Sequence, residues 1–295
     1  MEGKVKKLVL GTAQLGLDYG IGNLAGKPSK ESALSMLDYA CENGVKIFDT
    51  AKAYGLAEEL LGEFLQNRPD RENIKIITKI NPDKPEGIIK CFEDSLKKIK
   101  TDCIDGCLFH NPSDIRSKKM LGFLEDLKKK GLVKNVGVSI YSPEDAILAA
   151  ELEEIDYIQI PYNIFDQRLE KNNFFQLAKK NKKKVFARSI FLQGVLLLPE
   201  ERMPDYLEGA KEPINRLDKI LREYNLSRIQ ACLFFVVNNE NIDYIVFGAE
   251  DIGQINEIIY LCRKECIAFE KCYKDLMGGF DDVNLKIISP NLWKK

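Results

Sequence analysis

The chain has a single histidine among its 295 residues, and its charges nearly cancel, with 44 Lys and Arg against 45 Asp and Glu. A net charge of −1 provides no basic surface for nucleic acid or an anionic membrane. No run approaches the ~18 consecutive apolar residues of a membrane span, and the segment MEGKVKKLVLG has no apolar signal-peptide core. We therefore expect a cytoplasmic protein that binds neither nucleic acid nor membrane.

Close cysteine pairs of the Cys-x-x-Cys type are also missing, although the chain has eight cysteines. Cys262, Cys266 and Cys272 are separated by four and six positions, whereas zinc and iron–sulfur sites usually contain a closer pair. No histidine near them can complete a ligand set. The sequence therefore predicts no metal site, and these thiols are expected to be small core or surface residues.

Short runs rich in β-branched residues alternate with segments of helical period from near the start to about residue 268. Helical spacing is clearest where Ile88, Phe92, Leu96 and Ile99 share one face. Eight strands are predicted, at residues 7–10, 45–48, 74–78, 104–109, 135–139, 157–160, 185–187 and 244–247. Eight strand–helix units in a chain of this length predict a (β/α)8 TIM barrel, with residues 1–295 as a single domain.

A doubly wound parallel sheet is the alternative with the same alternation. Its dinucleotide-binding form usually has a Gly-x-Gly-x-x-Gly turn after the first strand. The chain instead has the string GTAQLG at residues 11–16. This spacing favours the barrel.

Four reactive side chains follow successive predicted strands. Asp49 and Tyr54 lie in the string FDTAKAYG after the second strand. Lys79 ends the third strand, and His110 follows the fourth in CLFHNP. Each also has an ordinary structural interpretation, as a helix cap, a half-buried aromatic, a strand-end lysine or an interior imidazole. Together, at strand ends that meet in one barrel mouth, they indicate a shared site.

These side chains suit a reductase that acts on a carbonyl group. Hydride addition builds negative charge on oxygen, which a proton or a hydrogen bond must meet. A tyrosine with a pKa of about 10 is a poor acid at neutral pH, and a nearby ammonium brings its pKa closer to the working range. We expect Lys79 to supply that charge to Tyr54, Asp49 to hold Lys79, and His110 to orient the carbonyl or share the proton.

Seven sequence strings extend over nearly the whole chain: LGTAQLG, FDTAKAYGLAEELLG, IITKI, CLFHNP, VGVSIYSPE, IQIPYNIFD and FGAEDIGQINE. In these strings the chain resembles the aldo-keto reductase family. The resemblance implies a (β/α)8 barrel and a nicotinamide cofactor, NAD(P)H, bound in extended form across the rim. It also implies a small carbonyl substrate and a catalytic tetrad of Asp49, Tyr54, Lys79 and His110.

The resemblance further implies cofactor-binding residues, with some departures. Ser139 and Gln159 match positions that hold the nicotinamide amide, whereas Ile140 replaces the asparagine that usually follows the serine. Arg188 stands where an aromatic ring commonly stacks on the nicotinamide, and a guanidinium plane can stack there instead. The other implied residues on this side are Gly11, Thr12, Asp49, Ser189, Phe191 and Leu192.

The adenosine end departs further from the family. The positions that usually supply cations and a hydroxyl to a 2′-phosphate include Gly248 and Gln254 here. Glu250 and Asp251 lie between them, and carboxylates oppose a phosphate but can accept hydrogen bonds from a ribose diol. Glu257 matches the acid on the adenine side. The sequence therefore favours NADH.

We have further expectations for two segments that do not follow the strand–helix alternation. Residues 189–222 form its longest break and contain several Gly and Pro residues, so we expect part of the cofactor clamp there. Residues 269–295 form a C-terminal tail that contains the only tryptophan, Trp293. We expect this tail to fold onto the barrel, because disordered termini seldom carry large apolar side chains.

Two other functions are open at this point. One is a nicotinamide-binding regulatory or redox-sensor protein with slow turnover, which the intact tetrad disfavours. The other is a barrel enzyme that uses Lys79 as a Schiff-base amine, which Asp49 as a charge partner disfavours. A mixture of aromatic and polar loop residues suits a sugar-like substrate, although the same residues also suit ordinary loops: Tyr19, Tyr141, Tyr162, Phe165 and Arg168.

Overall fold

The computed structural model describes residues 2–82 and 87–293. Within these residues, eight parallel strands pair in sequence order, and the last also pairs with the first to close a barrel. The strands are β1 (Leu8–Gly11), β2 (Ile47–Asp49), β3 (Lys75–Ile80), β4 (Ile104–Phe109), β5 (Val133–Ser139), β6 (Tyr157–Pro161), β7 (Lys184–Arg188) and β8 (Tyr244–Phe247). The predicted (β/α)8 class is confirmed, and the doubly wound alternative is wrong because β8 pairs with β1.

Helices connect the strands and surround the barrel. Those in the described residues are α1 (Glu2–Val5), α2 (Ala13–Gly16), α3 (Lys30–Glu42), α4 (Ala57–Gln66), α5 (Ile88–Ile99), α6 (Lys118–Lys129), α7 (Pro143–Glu151), α8 (Phe174–Lys180), α9 (Lys211–Glu223), α10 (Arg228–Val237), α11 (Ile252–Cys262), α12 (Ile267–Leu276) and α13 (Leu285–Ile288). The predicted apolar face of α5 is buried at Ile88, Phe92, Leu96 and Ile99. That burial packs α5 against the main core, between the strands and the helices.

A second, smaller apolar cluster fills the interior of the barrel. Its buried members are Val9, Ile47, Ile77, Leu108, Phe186 and Val246. Successive strand side chains point to opposite faces, so the residue two positions after each member is directed inward again, one step closer to the C-terminal mouth. Those positions are Gly11, Asp49, Lys79, His110, Arg188 and Gly248. The same alternation that builds the interior therefore directs these six positions toward the mouth.

Two loops meet above this mouth. The segment after β7 forms 3-10 turns at Leu192–Leu197, Glu200–Arg202 and Asp205–Ala210. The irregular stretch ends at residue 210, earlier than the predicted 222, because α9 already begins at Lys211. The backbone N–H of Ile21, in the loop after α2, donates to the Gln193 carbonyl at 3.0 Å. This bond ties the β1 and β7 loops together across the barrel rim.

The C-terminal part of the chain contains α12, α13 and a 3-10 turn at Pro290–Leu292. Ile287 and Ile288 are buried, and the Trp293 indole N–H donates to the carbonyl oxygens of Lys286 and Ile287 at 2.9 and 3.2 Å. Residues 294–295 of the predicted tail lie outside the described residues. No helix in the described ranges is long and apolar enough to span a bilayer.

Candidate active site

Asp49 and Lys79 form a buried ion pair at the barrel mouth. Lys79 Nζ donates to Asp49 Oδ2 at 2.5 Å and to the Thr50 carbonyl at 3.0 Å. The two side chains are only 2% and 4% exposed. The other carboxylate oxygen, Asp49 Oδ1, accepts from Gln159 Nε2 at 2.8 Å. Both oxygens of Asp49 are therefore engaged, and the lysine ammonium is held in one orientation.

Tyr54 is positioned by a close backbone contact with α2. A Cβ atom added at Gly16 would lie 1.9 Å from the Tyr54 carbonyl oxygen. Gly55 has a φ of +55°, and a Cβ atom there would lie 2.3 Å from the Gly16 oxygen. Any larger residue at either position would displace the loop that carries the tyrosine. Two glycines thus permit the approach that brings Tyr54 to the mouth.

The other three members of the predicted tetrad lie around Tyr54. Two of them contact its ring, and the third contacts Lys79. Lys79 Nζ lies 5.1 Å from the centroid of the Tyr54 ring. The His110 ring meets the same ring edge-on, with 6.0 Å between centroids. Asp49 reaches Tyr54 through Lys79. The structure therefore brings all four predicted tetrad residues into one cluster.

The Tyr54 pKa shifts in the direction opposite to the expected one. Burial, and then the negative charge of Asp49, raise it well above its usual value, while the charge of Arg188 lowers it. The lowering of this pKa that we expect from Lys79 is not found. Burial and the nearby Asp49 carboxylate determine the direction of the shift. Tyr54 is therefore a protonated phenol at neutral pH.

The His110 imidazole is neutral at physiological pH. Burial lowers its pKa to about 4, and the positive charges of Lys79 and Arg188 act in the same direction. A neutral ring can donate one hydrogen bond and accept another, but carries no proton to give up at low cost. Of the two roles predicted for His110, orienting a carbonyl fits this state better than sharing a proton.

Arg188 is held against the ends of β5 and β7. Its Nε donates to Ser139 Oγ at 3.2 Å, Nη2 donates to the Ile140 carbonyl at 2.9 Å, and Nη1 donates to Ser189 Oγ at 3.2 Å. The guanidinium carbon lies 4.5 Å from the centroid of the Tyr141 ring. These contacts fix the guanidinium plane beside the tetrad.

One cavity of about 570 Å³ joins these groups to the adenosine end of the predicted cofactor site. This volume lies in the usual range for small-molecule sites, about 300–1,000 Å³. The predicted residues that line it are Gly11, Asp49, Tyr54, Lys79, His110, Ser139, Gln159, Arg188, Ser189, Phe191, Gly248, Gln254 and Glu257. Two of the implied residues are not in the lining: Leu192, which is buried in the core, and Thr12. Thr12 lies behind Asp49, where its hydroxyl donates to the Asp49 carbonyl at 3.1 Å.

Sequence reasoning missed several lining residues, and the cation Arg202 matters most among them. It lines the same cavity as Glu250 and Gln254, and its Nη2 donates to the Gly22 carbonyl at 3.3 Å. Its positive charge lowers the pKa of Glu250, although burial, the largest effect, raises it. A lone arginine in a long loop gives no sequence signal of this kind.

Some predicted substrate-loop residues lie elsewhere. Tyr19 and Tyr141 line the cavity. Tyr162 is instead fully buried in the core, where its hydroxyl donates to Glu170 Oε1 at 2.6 Å, and Phe165 is buried against Phe280. For these two, the substrate-binding interpretation is wrong, because the chain after β6 turns into the helix layer.

Arg168 is likewise occupied outside the cavity lining. Its Nε and Nη2 donate to the two carboxylate oxygens of Asp166 at 2.7 and 2.8 Å. Within the described residues, no group of three or more His, Cys, Asp or Glu side chains is arranged to hold a metal ion.

The fold is that of a known enzyme family. Residues 7–268 match the sequence model of the Aldo/keto reductase family. Because this match covers most of the chain, the protein belongs to the aldo/keto reductase family. It is therefore an NAD(P)-dependent oxidoreductase that acts on a small carbonyl compound.

Individual relatives agree with this assignment. Uncharacterized oxidoreductase YqkF of Bacillus subtilis (strain 168) is 28% identical over 280 residues, covering 86% of this chain and 90% of that protein. Pyridoxal 4-dehydrogenase of Microbacterium luteolum is 26% identical over 330 aligned positions, covering 92% of this chain and 91% of that protein. Aldo-keto reductase AKR11C1 from Bacillus halodurans, solved in its holo form, has a TM-score of 0.74 at 22% identity, covering 92% of this chain and 91% of that chain. That structural likeness concerns the fold alone.

Proposed function

We propose that the protein reduces an aldehyde or ketone to an alcohol, with Tyr54 as the general acid. The observation that carries this proposal is the cluster of Tyr54, His110 and the Asp49–Lys79 pair in one cavity. The bound nicotinamide cofactor supplies the hydride. The chain's own residues handle the charge that develops on the carbonyl oxygen.

Tyr54 holds the proton for this step. Its raised pKa keeps the hydroxyl protonated at neutral pH, so the acid form is present before each turnover. Proton transfer to the carbonyl oxygen leaves a phenolate beside the Lys79 ammonium, which is 5.1 Å from the ring centroid. Asp49 keeps that ammonium in place. The neutral His110 N–H orients the carbonyl oxygen toward Tyr54.

The cavity also fits the cofactor. It runs from the tetrad to Gln254 and Glu257, and its wall contains a buried polar atom, Gln193 Oε1, with no partner within the described residues. A site that leaves such an atom unpaired favours a polar ligand. We propose that the cofactor is held by Gly11, Ser139, Gln159, Arg188, Ser189, Phe191, Gly248, Gln254 and Glu257, with Thr12 supporting them through Asp49.

Cofactor choice is the finer part of this proposal. Glu250 and Gln254 line the adenosine end, and a carboxylate there opposes a 2′-phosphate while it can accept from a ribose diol. Arg202 lines the same region, and its positive charge favours binding of the 2′-phosphate of NADPH. We propose a modest preference for NADH, since Arg202 is exposed and therefore screened by solvent.

The Schiff-base alternative finds no support in the geometry. Lys79 Nζ donates two hydrogen bonds, one of them to a carboxylate. Both contacts would have to break before the amine could attack a carbonyl carbon to form an imine. Turnover rate separates the proposed enzyme from the alternative of a slow regulatory or sensor protein.

One assay tests the proposed activity. The full chain is mixed with NADH or NADPH and a panel of aldehydes and ketones that includes hydroxylated, sugar-like compounds and pyridoxal. Loss of nicotinamide absorbance at enzymatic rates is the expected result. Cofactor binding without turnover on any carbonyl would favour the sensor, and no cofactor binding would overturn the proposal.

A further inference from the structure

Arg188 is a cation without an ionic partner at the reacting end of the cavity. Within residues 2–82 and 87–293, no carboxylate forms a salt bridge with it, since its three hydrogen bonds go to Ser139 Oγ, Ser189 Oγ and the Ile140 carbonyl. All three acceptors are neutral. Its charge is therefore balanced by no direct contact within that part of the chain.

Two other cations in this region are each paired with a carboxylate. Lys79 is paired with Asp49 at 2.5 Å. Arg168, whose Nη2 also donates to the Tyr141 carbonyl, is paired with Asp166. Arg188 thus gives the tetrad end of the cavity an excess of one positive charge. A half-buried guanidinium without an ionic partner is available to pair with an anionic ligand.

Arg188 also lies close enough to the tetrad to act on it. Its charge lowers the pKa values of Tyr54, Tyr19 and His110. A guanidinium has five N–H donors, and three of them are used by the protein. This leaves one N–H on each terminal nitrogen. Two such donors can bind the two oxygens of a carboxylate or phosphate, the bidentate pairing typical of arginine.

We propose that Arg188 is a specificity residue that binds an anionic group of the substrate. The preferred carbonyl compound then carries a carboxylate or phosphate group near the carbonyl. This inference rests on the proposed reductase function and narrows its substrate class. The flat face of the guanidinium stays available for stacking on the cofactor, because anion binding uses only its edge.

Two matched substrate pairs test the proposal. 4-Carboxybenzaldehyde is compared with 4-formylbenzamide, and glyceraldehyde 3-phosphate with glyceraldehyde, so that the two anionic groups are distinguished. The wild type should show a higher kcat/KM for the anionic member of at least one pair, by about 10-fold to 100-fold, the range of a charge-assisted hydrogen bond pair. This preference should weaken as salt is added.

Substitution assigns the preference to one side chain. Arg188→Met should bring the anionic-to-neutral ratio close to one, and Arg188→Lys should retain part of it, because a lysine keeps the charge without the fork. Arg202→Met is the matched control, since it removes a cation from the far end of the same cavity and should leave the ratio unchanged. If Arg188 had a purely structural role, Arg188→Met would instead lower kcat/KM equally for both members of each pair.

A binding measurement separates failure of this inference from failure of the proposed function. Calorimetric titration of the full chain with benzoate and with benzamide needs no turnover, and only benzoate should bind through Arg188. Turnover of both members of each pair at equal efficiency would overturn the Arg188 inference and leave the reductase intact. Absence of all turnover would overturn the proposed reductase function. In that case, an anion site at Arg188 would still be supported if the wild type binds benzoate and Arg188→Met does not.

Discussion

Gln159 Nε2 donates to Asp49 Oδ1 at 2.8 Å and thereby joins the end of β6 to the end of β2. The side-chain oxygen of the same amide, Gln159 Oε1, accepts from Ser139 Oγ at 3.4 Å. The amide that the family resemblance assigns to the nicotinamide therefore also holds the carboxylate that holds Lys79. The proposed cofactor site and the proposed proton-transfer site therefore share the Gln159 side chain.

This bond should contribute to both stability and rate. Gln159→Leu leaves a buried carboxylate oxygen without its donor, which costs about 1–3 kcal/mol of unfolding free energy, and kcat should fall because Lys79 is held less firmly. Urea unfolding and steady-state kinetics measure the two effects. Gln66→Leu is a suitable control, because Gln66 accepts a hydrogen bond from Lys100 on the exposed surface. Equal effects of the two substitutions would contradict the role given to Gln159.

The second prediction concerns the acid. Tyr54→Phe removes the proton donor and should lower kcat by at least ~100-fold, the usual range for a general acid, while the cofactor dissociation constant changes little. Tyr260→Phe, at an exposed position on α11, is the control for loss of a phenol. Turnover near the wild-type level in Tyr54→Phe would remove Tyr54 from the mechanism.

The third prediction ranks the lysine above its partner. Lys79→Met should abolish reduction, because it removes the ammonium beside Tyr54. Asp49→Asn should lower kcat less, since the Thr50 carbonyl still accepts from Lys79. Single-turnover rates of the two variants check this order, and a reversed order would contradict it. A substrate trapped on Lys79 by borohydride would favour the Schiff-base alternative.

Much of this site could be predicted from the sequence because strands alternate with a period of two. Lys79 follows the interior residue Ile77 by two positions, and Asp49 follows Ile47 in the same way. Strand ends and reactive side chains are both visible in the sequence, so the tetrad could be proposed before the structure.

Contacts that depend on barrel closure could not be predicted. Gln159 and Asp49 are 110 positions apart, and their hydrogen bond exists only because the closed barrel turns both side chains into one mouth. The Tyr54 pKa is a balance of burial and opposing charges, so its direction requires distances. The place of Tyr162 could not be predicted either, because its hydroxyl finds a partly buried partner, Glu170, in the helix layer.

The fourth prediction uses the single histidine. The Cε1 proton of His110 gives one NMR signal, and we expect it to titrate at about pH 4. The chemical shift of this proton should not change near pH 6.5, where an ordinary imidazole titrates. A midpoint near the ordinary value would contradict the neutral state assigned to His110.

The same shift affects stability with a defined sign. The folded-state pKa of His110, about 4, lies below the unfolded value, so the unfolded chain binds more protons between these two values. The free energy of unfolding should therefore decrease as the pH falls through this window. His110→Gln removes this contribution, and comparison with the wild type separates it from the titration of carboxylates.

The fifth prediction concerns cofactor choice at the adenosine end. The backbone N–H of Glu250 donates to Gln254 Oε1 at 2.9 Å, and both residues line the cavity. Replacing Gln254 with Arg and Glu250 with Ser removes one repulsive charge and adds a phosphate donor. The combined change should favour NADPH by about 1–3 kcal/mol, the range of charge-assisted hydrogen bonds.

Fluorescence titration with NADH and NADPH measures this preference directly. The wild type should bind NADH modestly more tightly, and the double variant should reverse or erase that difference. Arg202→Ala provides the comparison, since it removes the cation that lines the same region and should increase the preference for NADH. If the wild type already binds NADPH at least about tenfold more tightly, a free-energy difference of about 1.4 kcal/mol, then Glu250 does not set the preference. Loss of that NADPH preference in Arg202→Ala would then identify Arg202 as the side chain that meets the phosphate.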